Sequence, residues 1–286
     1  MSNITRPSYK EEVTQYNKKD AIHALLFAAY TILIAFCSSI LVAVFDVTDI
    51  DGQMMTFIQY LWGVGFALLA LAPLFVIMKI KRQKLRSLGL HLIDWKKALF
   101  AGLFFVVVFS MLFHGLLPGL LAGWQIHSPL MIIWIIVYML ILAVWEDIVY
   151  VGYIQTRIYG LIKKDFWAIS IVGLLFMIMH YPGFIISNIV SGEGFGFDFW
   201  FMFAGMSLSW IMGHILFNTL FRQFRSIIVV TLFHFSSNIA LRGDLWTHND
   251  ESNISVFFII SGGIAFGAFL MIVALLPYLK RSRATK

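Results

Sequence analysis

Apolar residues along this chain fall in long blocks separated by short polar stretches. There are eight such blocks: Ala21–Phe45, Met54–Met78, Ala98–Leu121, Pro129–Arg157, Phe166–His180, Phe199–Leu220, Ser226–Leu241 and Ser255–Leu279. A helix of about 20 apolar residues spans the ~30 Å hydrocarbon core of a bilayer. Helices are the default spanning structure because each satisfies its own backbone hydrogen bonds in lipid. The pattern predicts an all-α fold, a polytopic membrane helix bundle with about eight transmembrane helices. The fifth and seventh blocks are short, which suits helices buried among others rather than facing lipid.

Composition agrees with this reading. The chain is 60% hydrophobic and 13% charged, whereas a soluble domain is about half apolar and about a quarter charged. The net charge of +6 is explained by where the cations sit. Arg6, Lys10, Lys18 and Lys19 precede the first block. Lys79, Lys81, Arg82, Lys84, Arg86, Lys96 and Lys97 follow the second, Arg157, Lys163 and Lys164 the fourth, and Arg222 and Arg225 the sixth. Lys280, Arg281, Arg283 and Lys286 follow the eighth. Eight spans with both termini in the cytoplasm place every Lys and Arg except Arg242 on the inner side, as the positive-inside rule requires. The expected organisation is a cytoplasmic N-terminal segment over 1–20, one transmembrane domain over 21–279 and a basic cytoplasmic tail over 280–286, with no cleavable signal peptide. The partner implied by charge is the lipid bilayer of the cell membrane, not nucleic acid. The single cysteine, Cys37, lies in an apolar run with nothing nearby to activate it, and reads as a packing residue.

Charged and strongly polar groups within spans are costly and mark function more often than packing. Four clusters qualify: Glu146-Asp147, His180, His234 with Asn238, and His214 with Asn218. The last two pairs have the i, i+4 spacing that puts both side chains on one helix face. With a rise of ~1.5 Å per residue, Glu146 lies about 16 Å above Arg157 and His234 about 13 Å above Arg225. If the helix ends flanking 157–163 project beyond the membrane, His180 lies about 15 Å deep as well. A carboxylate and a histidine at one level can share a water and deprotonate it. A second histidine with an asparagine can donate to the oxyanion that forms when that water attacks a peptide carbonyl. Glu146, His180 and His234 are also a set that zinc can use. No His-Glu-x-x-His or Gly-x-Ser-x-Gly is present.

These residues resemble the CAAX protease and bacteriocin-processing family (CPBP, or Abi), whose motifs in order are Glu-Glu-x-x-x-Arg, Phe-x-x-x-His and His-x-x-x-Asn. Glu146-Asp147 with the tail Tyr150-x-Gly152-Tyr153-Ile154-Gln155-Thr156-Arg157 is similar to the first. Phe176 to His180 matches the second, and His234 to Asn238 the third. Arg86-Ser87-Leu88-Gly89-Leu90 resembles the linker before the family core, and the resemblance covers residues 80–245. It implies a glutamate-dependent intramembrane endopeptidase with no metal or other cofactor. Glu146 and His180 would activate water, while His234 and Asn238 would form the oxyanion site. The partner implied is a membrane-associated peptide or protein substrate, such as a bacteriocin, a signalling peptide or a lipidated C-terminus.

Two positions depart from the pattern. Asp147 stands in place of the second glutamate, and Val151 in place of the arginine that would pair with it. A buried carboxylate without a partner is expensive, and His214 with Asn218 are the candidates to supply one. The same departure supports a second reading, in which the chain is an immunity protein or a scaffold for another membrane protein such as a sensor kinase.

Overall fold

The computed structural model describes residues 9–46, 52–90, 95–105, 125–192, 194–242 and 246–247. The fold is an all-α membrane bundle. Its helices are α1 (Tyr9–Thr14), α2 (Lys18–Asp46), α3 (Gly52–Ile80), α4 (Trp95–Phe105), α5 (Pro129–Glu146), α6 (Gln155–Arg157), α7 (Asp165–Ser191), α8 (Phe197–Phe224) and α9 (Ile227–Arg242). A π-helix, Asp147–Ile154, joins α5 to α6, and 3-10 turns occupy Leu85–Leu88 and Ile158–Gly160. Two-residue strands β1 (Gln125–Ile126) and β2 (Trp246–Thr247) pair antiparallel, which ties the approach to α5 to the exit of α9.

Among the described residues, five helices are long and apolar enough to cross a membrane: Lys18–Val44, Leu61–Ile80, Pro129–Gly160, Asp165–Ser191 and Phe197–Phe224. A sixth apolar helix, Ile227–Asn238, is shorter. The block at 255–279, most of the block at 98–121 and the basic tail at 280–286 lie outside the described residues. The fifth block is longer than the stretch Phe166–His180, and Asp165–Ser191 is long and apolar enough to cross a membrane. Instead of ending at His180, α7 continues through Pro182 to Ser191, where Gly192 closes it in the left-handed region at φ 72°. Proline removes one backbone donor, and membrane helices tolerate that loss because neighbouring groups re-satisfy the freed carbonyl. Cys37 is also corrected: it is exposed on the outer face of α2, not packed inside.

Packing places the π-helix at the centre. α2 packs on α3 and α7, α7 on α8, and α9 on α4, α5 and α8, while the π-helix touches α2, α3, α7, α8 and α9. Trp145, Val149, Tyr150, Val151, Tyr153 and Ile154 are all buried in one apolar core with Phe27, Phe66, Leu88, Phe176 and Phe233.

The segment before α2 is part of this packing. Tyr9, Val13 and Tyr16, spaced to share one face, are buried. Tyr9 sits edge-on to Tyr159 and Phe221, with the guanidinium groups of Arg222 and Arg225 over its ring at 5.0 and 5.3 Å. The Tyr16 phenol donates to Glu12 Oε1 at 2.5 Å, and Glu12 Oε2 lies 3.9 Å from Arg225. Burial pushes both phenols up, so they remain neutral at physiological pH. Gly160 permits this docking, because a Cβ there would run into the Asn17 carbonyl. Gly160→Ala should therefore loosen residues 9–17, and their amide hydrogen exchange should accelerate about tenfold or more, equivalent to about 1.4 kcal/mol of local stability. Unchanged exchange would show that the segment accommodates the methyl group without opening.

Candidate functional site

Ser128 caps α5, accepting from the Met131 N–H at 3.4 Å, and Pro129 takes the first turn, where its missing donor costs nothing. The helix runs with regular α geometry to Glu146 and then widens. The Gln155 N–H bonds to the Tyr150 carbonyl five residues back, the π pattern that often marks functional positions. Gly152 lies in this wide stretch, and a Cβ on it would stand 3.0 Å from the Leu88 carbonyl oxygen. The absence of a side chain lets the π-helix rest against the 3-10 turn at Leu85–Leu88. That turn is in turn tied to α9, since the Ile227 N–H bonds to the Gly89 carbonyl at 3.3 Å.

The structure brings Glu146, Asp147, His180 and His234 together inside the bundle. Glu146 lies between two imidazoles: its Oε1 is 4.0 Å from His180 Nε2 and its Oε2 is 3.5 Å from His234 Nε2. The other nitrogen of each ring has its own partner. His180 Nδ1 is 2.8 Å from the Phe176 carbonyl oxygen, and His234 Nδ1 is 3.0 Å from Asp147 Oδ1. Glu146, Asp147 and His234 are buried, while the His180 side chain is 24% exposed, so His180 is the most accessible of the four. Asn238 lies one turn beyond His234 on α9 and is half-buried.

The expected partner of Asp147 is corrected by this geometry. Asp147 bonds to His234, not to His214 or Asn218. His214 is fully buried on α8 and pairs through Nε2 with Gln155 Oε1 at 3.3 Å. Asn218, one turn further along α8, makes no side-chain hydrogen bond of normal geometry among the described residues. Val151, at the position of the missing arginine, is buried in the apolar core.

Arg157 is also not where a boundary cation would be. It is 0% exposed. Its guanidinium donates to the Gly152 carbonyl at 3.0 Å, Thr156 Oγ1 at 2.6 Å, Gln83 Oε1 at 3.1 Å and Ser87 Oγ at 2.6 Å, and lies over the rings of Tyr16 and Tyr153. It fastens the end of the π-helix to the Leu85–Leu88 turn and to the N-terminal segment.

Several contacts had no separate signal in the sequence. The Phe176 ring touches all three histidines, at centroid distances of 4.6 Å to His180, 5.7 Å to His214 and 6.2 Å to His234. Trp210 stacks on His180 at 4.7 Å, and Phe217 lies 4.4 Å from His234. Phe176 was visible as the first position of its motif. Trp210 and Phe217 are two among many aromatics in apolar blocks. Among the described residues, no group of three or more His, Cys, Asp or Glu side chains has the geometry to hold a metal ion.

A buried carboxyl flanked by two imidazoles, one of them partly exposed, is suited to proton transfer. No curated protein and no solved structure matches the chain. Residues 127–240 match the family model described as type II CAAX prenyl endopeptidase Rce1-like, a stretch that contains Glu146, Asp147, His180, His234 and Asn238, and the chain thus carries an Rce1-like domain of the CAAX protease family.

Proposed function

We propose that the chain is an intramembrane endopeptidase that hydrolyses a membrane-associated peptide or protein, in a cell membrane with both termini cytoplasmic. The observation that carries this reading is the placement of Glu146 between His180 and His234 inside the bundle. A separation of 4.0 Å between Glu146 and His180 is too long for a direct hydrogen bond and suits two groups that share one water. Glu146, with His180, takes a proton from that water as its oxygen attacks the scissile carbonyl carbon. The negative charge that develops on the carbonyl oxygen is met by donors from His234 and Asn238. The tetrahedral intermediate collapses with loss of the C–N bond, and the proton passes to the leaving amine. No enzyme atom becomes bonded to the substrate.

The substrate class is a peptide segment that reaches the membrane, including a lipidated C-terminus, a bacteriocin or a signalling peptide. The test compares native membranes from cells that express the chain with membranes from cells that lack it, by mass spectrometry of peptide termini. New termini that depend on the chain support hydrolysis and identify the substrate. If the termini are the same in both and the chain instead co-purifies with another membrane protein at fixed stoichiometry, the scaffold reading replaces this one.

A further inference from the structure

We propose that the chain binds an anionic phospholipid of the cytoplasmic leaflet by its headgroup phosphate, in a cavity between the start of α2 and the end of α3. The leaflet follows from the orientation proposed above. The cavity does not depend on peptide hydrolysis, so the test reads binding and not cleavage.

One ion pair fixes the level at which α2 begins and α3 ends: Lys81 Nζ lies 3.1 Å from Asp20 Oδ1. An open cavity of about 400 Å³ lies there, and Tyr16, Lys19, Asp20, His23, Lys81 and Gln83 are in its lining. That volume is within the range of small-ligand sites. The acid in the cavity is already engaged. Asp20 Oδ1 accepts from Lys81 and from Gln83 Nε2 at 3.5 Å, and Oδ2 accepts from the Asn17 N–H at 3.2 Å. Lys81 also meets His23 Nδ1. An ammonium has three N–H donors, so Lys81, held by two partners, keeps one for a ligand. Lys19 is exposed at the rim.

The surface around the cavity is predominantly basic. Lys18, Lys79, Arg82 and Lys84, each within two residues of a lining position, are exposed. The acids of this region are Asp20, Glu11 on α1, and Glu12, which is buried against Tyr16 and Arg225. Apolar surface begins next to the cations. Ile22 and Leu26 on α2 and Val76 and Ile80 on α3 are all exposed, within two turns of the lining residues. A phosphate ester alone would satisfy the lysines, but a phosphate ester that carries acyl chains satisfies both surfaces. Basic pockets between membrane helices on the cytoplasmic side bind such headgroups.

The inner wall links the cavity to the π-helix. The Tyr16 ring lies 4.5 Å from the Arg157 guanidinium, and Gln83 Oε1 accepts from Arg157 at 3.1 Å. A phosphate held between Lys19 on α2 and Lys81 after α3 braces the N-terminal segment against the residue that fastens the π-helix.

The test uses the full chain in micelles of a neutral detergent, with dioleoylphosphatidylglycerol or dioleoylphosphatidylcholine added, and measures retained lipid by native mass spectrometry. A lysine beside an anionic headgroup is worth about fivefold in binding, so phosphatidylglycerol should be retained about 5- to 25-fold more strongly. Lys19→Gln/Lys81→Gln should remove that preference. Lys163→Gln/Lys164→Gln deletes two exposed cations outside the cavity and should leave it intact. Amide exchange over residues 9–17 should slow with phosphatidylglycerol and not with phosphatidylcholine. Because Lys81 also holds Asp20, a double variant that fails to fold is replaced by Lys19→Gln alone, which should cost about fivefold. Equal retention of the two lipids overturns the proposal. So does an equal loss from both double variants, which marks diffuse surface charge. Equally strong binding of glycerophosphoglycerol, the same headgroup without acyl chains, reassigns the site to a soluble phosphate ester and overturns the lipid.

Discussion

Glu146→Gln is expected to abolish peptide hydrolysis and leave the bundle folded. Glutamine has the size and shape of glutamate and can still meet His180 and His234 with one oxygen and one amide, so packing around residue 146 is preserved. It cannot take a proton from water. A positioned general base is worth about 100- to 10,000-fold in rate, and a single-turnover assay in micelles or vesicles should register a loss of that size. Far-UV circular dichroism and elution volume should match the wild type. If the variant keeps more than about a tenth of the rate, the base is another group and the assignment of Glu146 fails. The scaffold reading makes the opposite forecast: any association of the chain with a partner survives Glu146→Gln unchanged.

The positions named in that prediction were legible from the chain because hydrocarbon makes polar groups conspicuous. Glu146, His180 and His234 are exceptions in apolar blocks, and counting residues from the flanking cations brings them to a similar depth. The partner of Asp147 was not legible. A histidine has two nitrogens, and spacing along a sequence does not say what the second one meets. The π-helix is equally silent, since Asp147–Ile154 has the same apolar character whether its hydrogen bonds run four or five residues back. The burial of Arg157 was hidden for a different reason. A rule that counts cations by loop treats every arginine as bathed in water, and Arg157 is enclosed by Gln83, Ser87, Tyr16 and Tyr153, three of them supplied by segments far from it in sequence. The length of α7 is hidden because Pro182, two residues after His180, reads as a stop in water, where a freed carbonyl has solvent to turn to.

Arg157→Met should be the most destabilising of single substitutions outside the carboxylate–histidine group. Methionine fills much of the same length but donates nothing. Ser87, Gln83 and the Gly152 carbonyl would each lose a charged donor, and hydrogen bonds to charged groups contribute about 1.5–3 kcal/mol apiece. Because some of these acceptors re-pair locally, a net loss of about 3 kcal/mol is expected, which in a chain of this size lowers the unfolding temperature by about 6–12 °C. Thermal unfolding in micelles, followed by circular dichroism, measures it. Arg157→Lys should recover less than half of the loss, because an ammonium lacks the fork that reaches Gly152 and Thr156 with one nitrogen and Gln83 and Ser87 with the other. A shift below about 2 °C for Arg157→Met would mean that the buried guanidinium contributes little beyond its own desolvation. Activity should fall alongside stability, since the same side chain anchors the stretch that carries Asp147.

The docking of Tyr9 against Arg222 and Arg225 sets an order of events during synthesis. Tyr9 leaves the ribosome before the arginines that cover its ring, which are made about two hundred residues later. At about 5–20 residues per second, that delay is about 10–40 s. Through this interval α2 has to enter the membrane and hold its place with its leading segment undocked. The contacts of Tyr9 and Glu12 with Arg222 and Arg225 are thus among the last to form, and they close only on chains whose α8 has arrived on the correct side. A chain that inserts α8 the wrong way round leaves Tyr9 without Arg222 and Arg225, which presents quality-control proteases with a distinguishing mark about two hundred residues from the error.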